Sequence, residues 1–544
     1  MLGGRLQAAL TLTIGVKSYD VQGGHIDRLE LDLDSHGFAA EIEFTLSDDQ
    51  AHGGGFDDTL PSDFLSLDLI KAKLVLSWVF FEEEVTTTAE EVTITGLVMD
   101  KSLVEESYRR SGDIPVLARR YRIHMADPAQ VLWRQHFPCA LYTETTMSDV
   151  LSAHTGSYIT IDAQWSELST TKALLFVHLP VAAGASFYDF VMWYLDARGG
   201  VWYYDYGAGK YVIAGDKPSL GTAVTLFGDD IERSAVRVAE VPRHQPRVHN
   251  SYTESAKTQA VDQDQAVTGV YRDVLMRSPI AQDFDDRVTL EGDRFTLPAY
   301  EAEVDLSRAP PESLVPGTLV ALSSSQRWSS ESALTSKTWR VRRLRLRTQA
   351  VRAGADAQSQ RDDNDVRGEL RLGLEQKDDP RPHLPEFRAP VYPGLVEAKV
   401  VSEQGEDTDK TYQVYTDADT SLENYKLKIP LWEDQVIEVP FDPYQGSGNV
   451  YIPAYRDARV LAAIDLETAH IARLIDWREG APLSMDVQGE QLYFGKSATS
   501  HTTVSHDYDG ENPVFQVARL HDKDTGTIRI EEGVLTITVK EESE

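Results

Sequence analysis

Alternation of apolar and polar residues is the commonest pattern in this chain. Leu10, Leu12, Ile14 and Val16 alternate near the start, Leu29, Leu31 and Leu33 alternate with charges, and so do Ala40, Ile42, Phe44 and Leu46. A period of two places one face of a strand in a core and the other in water. With Leu74 to Phe81, Val92 to Val98 and Tyr121 to His124, residues 6 to about 135 read as short strands without intervening helices, a barrel or a sandwich. His36-Gly37 makes a turn, and His52 to Asp58 and Glu82 to Glu90 are polar loops.

The pattern changes after residue 127. Met147 to His154 predicts a short helix with Thr146 at its N-cap and Asp149 three places in. A second helix is predicted from Phe187 to Arg198. Ser186 is its N-cap, Asp189 completes a capping box, and Phe187, Phe190, Val191, Tyr194 and Leu195 share one face. Gly199-Gly200 stops it, and the aromatic run Val201 to Tyr206 turns at Gly207-Ala208-Gly209 and returns through Tyr211 to Ile213 as a hairpin.

Strand patterns resume over residues 234 to 372. Within them Trp339 to Thr348, WRVRRLRLRT, is the most basic stretch of the chain. Val341 falls on one side and Leu344 and Leu346 on the other, which predicts a bulge at Arg342-Arg343, with the arginines meeting acidic neighbouring strands or another subunit. Ala353 to Asp365 reads as a solvated acidic loop. Five prolines in residues 376 to 393 mark a linker. Residues 394 to 480 hold five or six short strands, a count that fits a small barrel of the OB type. The last segment ends in GTIRIEEGVLTITV, strand, acidic turn and strand, with Ile528 and Ile530, then Leu535, Ile537 and Val539, at alternating positions. A lone hairpin of this size cannot bury its apolar face.

The totals narrow the function. A chain of 544 residues is too long for one core. A net charge of −34 argues against an open nucleic-acid surface or an anionic membrane surface. One cysteine, Cys139, excludes an intrachain disulfide and reads as small-residue packing. No run is long enough to span a bilayer, and the apolar stretch Leu6 to Val16 reads as a first strand rather than a signal peptide. Walker loops, HExxH, nucleophile elbows and CxxC pairs are absent. Asp507-Tyr508-Asp509-Gly510 lacks the later ligands of a calcium loop, and His501, His506 and His521 lack close spacing, so no metal, cofactor or catalytic residue is assigned.

SFYDFVMWYLDARGGVWYYDY resembles the helix–glycine–tyrosine-rich hairpin of the hub and spike proteins of contractile injection machines: the valine-glycine repeat protein G (VgrG) spikes of type VI secretion and the baseplate hub–spikes of contractile phage tails. It departs from them in placing Asp196-Ala197-Arg198 where an acidic run is usual. The segment DPAQVLWRQHFPCALYTETTMSDVLSAHTG, and Ile452-Pro453 followed by Val460-Leu461-Ala462, are similar to the same family. The resemblance implies a mainly β chain with two barrel-like hub domains (1–135 and 234–375), an intervening α/β segment (136–233), the proline-rich linker, an OB-type domain (394–480) and a C-terminal trimeric β-helix or β-prism spike (481–544). It implies a structural role rather than an enzymatic one. A homotrimer adapts a six-fold inner tube to a three-fold spike that is driven through a target membrane. Ile528, Ile530, Leu535, Ile537 and Val539 would pack the trimer, and Ile537, Val539 and Lys540 would dock a small conical PAAR-like cap. Further implied partners are the inner tube ring, baseplate components and effector cargo. The chain would be made in the cytoplasm and act within the assembled particle. A glycan-cleaving enzyme with β accessory domains and a receptor-binding adhesin are the rival classes.

Overall fold

The computed structural model describes residues 2–48, 58–82, 85–109, 115–218, 220–297, 299–325, 327–335, 337–351, 363–406, 411–444, 450–476, 489–497 and 499–541. The chain divides into two compact units. The first takes residues 1–137, 148–170 and 179–390, and the second takes 138–147, 171–178 and 391–544.

The first unit is built on one fourteen-stranded sheet. Eight antiparallel strands of it form a closed ring. Leu2–Ile14 pairs with Ile70–Glu82, which pairs with Val92–Arg109, then Pro115–Ala126, Gly37–Asp48, Ile26–Asp34, Thr338–Ala350 and Asp363–Gln376, which returns to Leu2–Ile14. Six strands of the ring thus come from the first 126 residues, and the two that close it come from more than 200 residues later. Those two long strands also leave the ring. Thr338 to Arg340 of the first pair with Leu319 to Ala321 of the strand Thr318–Leu322, while Leu370 to Glu375 of the second pair with Tyr300–Leu306, and Ile231–Val238 lies beyond. The ring and the second group of strands share a hairpin.

The basic strand behaves as its sequence predicts. Its register against Asp363–Gln376 slips between Val341 and Arg343, so Arg342 is the bulged residue and Val341, Leu344 and Leu346 are all buried. Arg343 pairs with Asp32, and also lies 3.7 Å from Asp34; Arg345 reaches Asp32 at 3.4 Å and Arg347 reaches Glu30 at 3.5 Å. The acidic run read as a loop begins a strand at Asp363 instead. Asp363 and Asp365 lie 3.5 and 3.3 Å from Arg5 Nε, so a cross-strand cation holds acids that local composition assigns to water; residues 353–362 lie outside the described residues.

The helix Phe187–Arg198 carries the predicted capping box. Asp189 N donates to Ser186 Oγ at 3.3 Å, Ser186 N donates to Asp189 Oδ2 at 2.9 Å, and Gly199 closes the helix in the left-handed region at φ 76°. The hairpin follows as Val201–Asp205 and Lys210–Ala214. A helix that the strand reading missed, Ala281–Arg294, lies with a three-stranded sheet of Gln245–Asn250, Lys257–Ala260 and Tyr271–Met276. Only Phe284 and Glu291 of it are buried, and its helical period is carried by three apolar residues alone, Ala281, Phe284 and Val288.

In the second unit, six strands between Gly394 and Asp476 form one antiparallel sheet around a core of Ala398, Val400, Tyr425, Leu427, Ile429, Ile437, Val460, Ala462 and Ile464. The two-stranded ribbon Cys139–Thr146 with Thr171–His178 contributes Leu141, Leu174 and Phe176 to that core. Cys139 is exposed, not packed among small residues. The chain finishes in a five-stranded antiparallel meander, Glu490–Ser497, Ser500–Asp509, Asn512–His521, Asp524–Glu531 and Val534–Lys540.

Candidate assembly surface

The terminal meander has two unlike faces. Residues directly opposite in an antiparallel pair share a face. Following the register, Leu492 faces Val504, Val504 faces Val517, Val517 faces Ile528 and Ile528 faces Ile537, a row of five apolar side chains across five strands. Beside it run Glu490, His506, Phe515, Ile530 and Leu535, and on the other side Phe494, Thr502, Arg519, Gly526 and Val539. The opposite face carries Gln491, Ser505, Gln516, Arg529 and Thr536, then Tyr493, Thr503, Ala518, Thr527 and Thr538.

All five residues expected to pack a trimer fall on the apolar face, and all are exposed: Ile528 43%, Ile530 47%, Leu535 61%, Ile537 68% and Val539 72%. Lys540 stands opposite Thr525, one place on from Val539, and so belongs to the polar face. Leu492 at 60%, Phe494 at 47% and Phe515 at 42% extend the apolar face beyond the final hairpin. Their alternation in QLYF and VFQV is visible in the sequence, although reading the hairpin alone passes over it. An apolar row of this extent in water is a liability unless something covers it.

Elsewhere the buried polar groups serve the architecture. Asp127 is fully buried; it accepts from Gln130 N at 3.1 Å, Phe38 N at 3.2 Å and the Tyr211 hydroxyl, tying a ring strand, a short helix and the aromatic hairpin. Burial pushes its carboxyl above the usual range. A Cβ on Gly37 would meet its Oδ2 at 2.3 Å, so glycine is required there. His136 Nε2 lies 2.7 Å from His154 Nδ1, and burial, with His136 adding to it, holds His154 down to about 4. Among the described residues no three His, Cys, Asp or Glu side chains are grouped to hold a metal ion. His506 lies 3.1 Å from Glu490, and His501 and His521 stand opposite Leu520 and Ser500, so the three tail histidines do not converge.

Known structures share this fold. A chain of the lidless PdpA–VgrG complex aligns with 99% of this chain and 98% of its own length, at TM-score 0.68 and 12% identity. The fold is VgrG-like. A chain of the half-lidded Francisella PdpA–VgrG complex aligns over 98% of this chain and 88% of its own, again at TM-score 0.68 and 12% identity. No protein-family model matches the sequence, and no curated protein matches it.

Proposed function

We propose that this chain is the structural hub and membrane-puncturing spike of a contractile injection apparatus and works as a homotrimer. The observation that carries the reading is the five-strand apolar row of the terminal meander, within a chain whose full length follows a VgrG-like fold. Three such faces turned inward would form a prism, in which each strand face loses water at about 1.5–3 kcal/mol per large apolar side chain. Three chains carry about three times −34 charges, a repulsion that this burial has to exceed.

The first unit suits an adaptor. Each chain brings a closed ring and a second strand group joined through shared strands, so a trimer would offer six sheet-built units to a six-fold tube while its spike keeps three-fold symmetry. The six-stranded sheet of residues 394–476 would take the place of the OB domain. The work is mechanical: packing residues, rather than a reacting group, carry the load when the sheath drives the spike through a membrane. The partners of this reading are the tube ring, the baseplate, effector cargo and a small conical PAAR-like cap on the last strands. Deleting residues 535 to 544 removes Leu535, Ile537 and Val539 from the apolar face. It is expected to abolish co-purification with a candidate cap and weaken injection, with sedimentation of the truncated chain reporting whether the trimer survives the loss. Equal recovery of the cap with intact and truncated chains would sink the cap-docking role.

A further inference from the structure

A cavity of about 90 Å³ in the first unit is lined by Trp202, Pro316 and Val341 together with Lys217, Arg340, Arg342, Glu375 and His383. It lies along a charged row of the large sheet. Arg340 stands opposite Glu375, Glu375 opposite Glu301 and Glu301 opposite Arg237, on four successive strands. The acids here are outnumbered by cations. Glu375 takes Lys217 at 2.8 Å and Arg340 at 3.0 Å, with His383 Nε2 at 3.0 Å; Glu301 takes Arg237 at 2.7 Å and shares Arg381, at 3.2 Å, with Asp379 at 3.0 Å. Arg340 is 6% exposed. Its Nε and the Nε of the bulged Arg342 are both buried without a hydrogen-bond partner among the described residues. A buried guanidinium N–H left unpaired is costly, and an anion is the partner that satisfies both its charge and its geometry.

We propose that this cavity binds a carboxylate carried on a short apolar stem, with the carboxylate against Arg340 and Arg342 and the stem against Trp202 and Pro316. Arginines 340 and 342 fall on one face by the ordinary alternation of a strand, and both line the cavity. Two sources supply this chemistry: a free small carboxylic acid, or the carboxylate of a polypeptide chain end.

The test is titration calorimetry on the full chain with butyrate, its neutral analogue butyramide, and two forms of a short peptide ending in valine, one with a free C-terminal carboxylate and one amidated. Saturable binding of butyrate or of the free-carboxylate peptide, with neither butyramide nor the amidated peptide binding, supports the site. Butyrate alone points to a small acid; peptide binding, with or without butyrate, points to a chain end. Arg342→Gln is expected to weaken the binding about tenfold or more, as loss of a charge-assisted hydrogen bond does. Arg342 is the chosen position because replacing Arg340 also strips Glu375 of a partner. The melting profile reports whether Arg342→Gln is folded. No saturable binding by butyrate or the free-carboxylate peptide, equal binding of the neutral analogues, or undiminished binding by folded Arg342→Gln would overturn the proposal.

Discussion

Two sheets in this protein are written in the same alternating code and meet different fates. In the large sheet a row runs Leu306, Leu370, Leu346, Leu31, Ala40, Met125 across six strands, and none of the six is more than 5% exposed. In the terminal meander the row Leu492, Val504, Val517, Ile528, Ile537 crosses five strands, and Leu492, Ile528 and Ile537 are 43–68% exposed. Five of its six strands belong to the ring, which covers their face, and Tyr300–Leu306 carries the row beyond it. The meander stays open at both edges. An alternating pattern therefore specifies a face to be covered, and leaves open whether the same chain or another one covers it.

The largest break in this comparison comes from a charge in the closed ring. Leu346→Asp puts an unpaired carboxylate into a fully covered row, and the first unit is expected to lose its cooperative melting transition altogether, at a cost above about 4 kcal/mol. Calorimetry checks it, and a melting temperature within a few degrees of the parent would count against a closed core. Next comes the same change at Ile528→Asp or Ile537→Asp. Either places three carboxylates near one axis of the proposed prism, and the expected result is a folded chain that sediments as a monomer, with near-native circular dichroism. A fully trimeric, heat-stable variant would remove the inward-facing row.

A smaller effect separates the units by pH. His154 titrates at about 4 in the folded chain and near 6.5 unfolded, so the unfolded state takes up the proton first. Stability is therefore full above about pH 6.5 and falls as the pH drops toward 4, by about 1–2 kcal/mol after discounting for the partial exposure of the ring. Denaturant melts between pH 7 and 4 measure this, and His154→Gln should flatten the dependence. The smallest change belongs to the polar face of the meander: Thr536→Lys is expected to leave both melting and association within about 0.5 kcal/mol, and a loss of association there would mean that the wrong face had been assigned.

Much of the local structure is legible in the residues. Ser186 and Asp189 announce the capped helix, Gly199 its end, and the phase change around Val341 the bulge. What the sequence cannot carry is the choice of distant partners. Nothing local tells that Leu2–Ile14 pairs with Asp363–Gln376, nor that Leu141, Leu174 and Phe176 pack with strands beyond residue 394. The helix Ala281–Arg294 hides because its exposed surface is charged and only Phe284 and Glu291 reach the interior. The assembly surface was half visible: the final hairpin stands out, whereas Leu492, Phe494 and Phe515 join it only once the register is known.

The central claim is that the apolar row of the meander is covered by two further copies of the same chain. The mass of the purified full-length chain in solution, by light scattering or analytical ultracentrifugation, tests this most directly. The account predicts about three times 60.7 kDa, unchanged on dilution through the micromolar range. A single species of 60.7 kDa would contradict it.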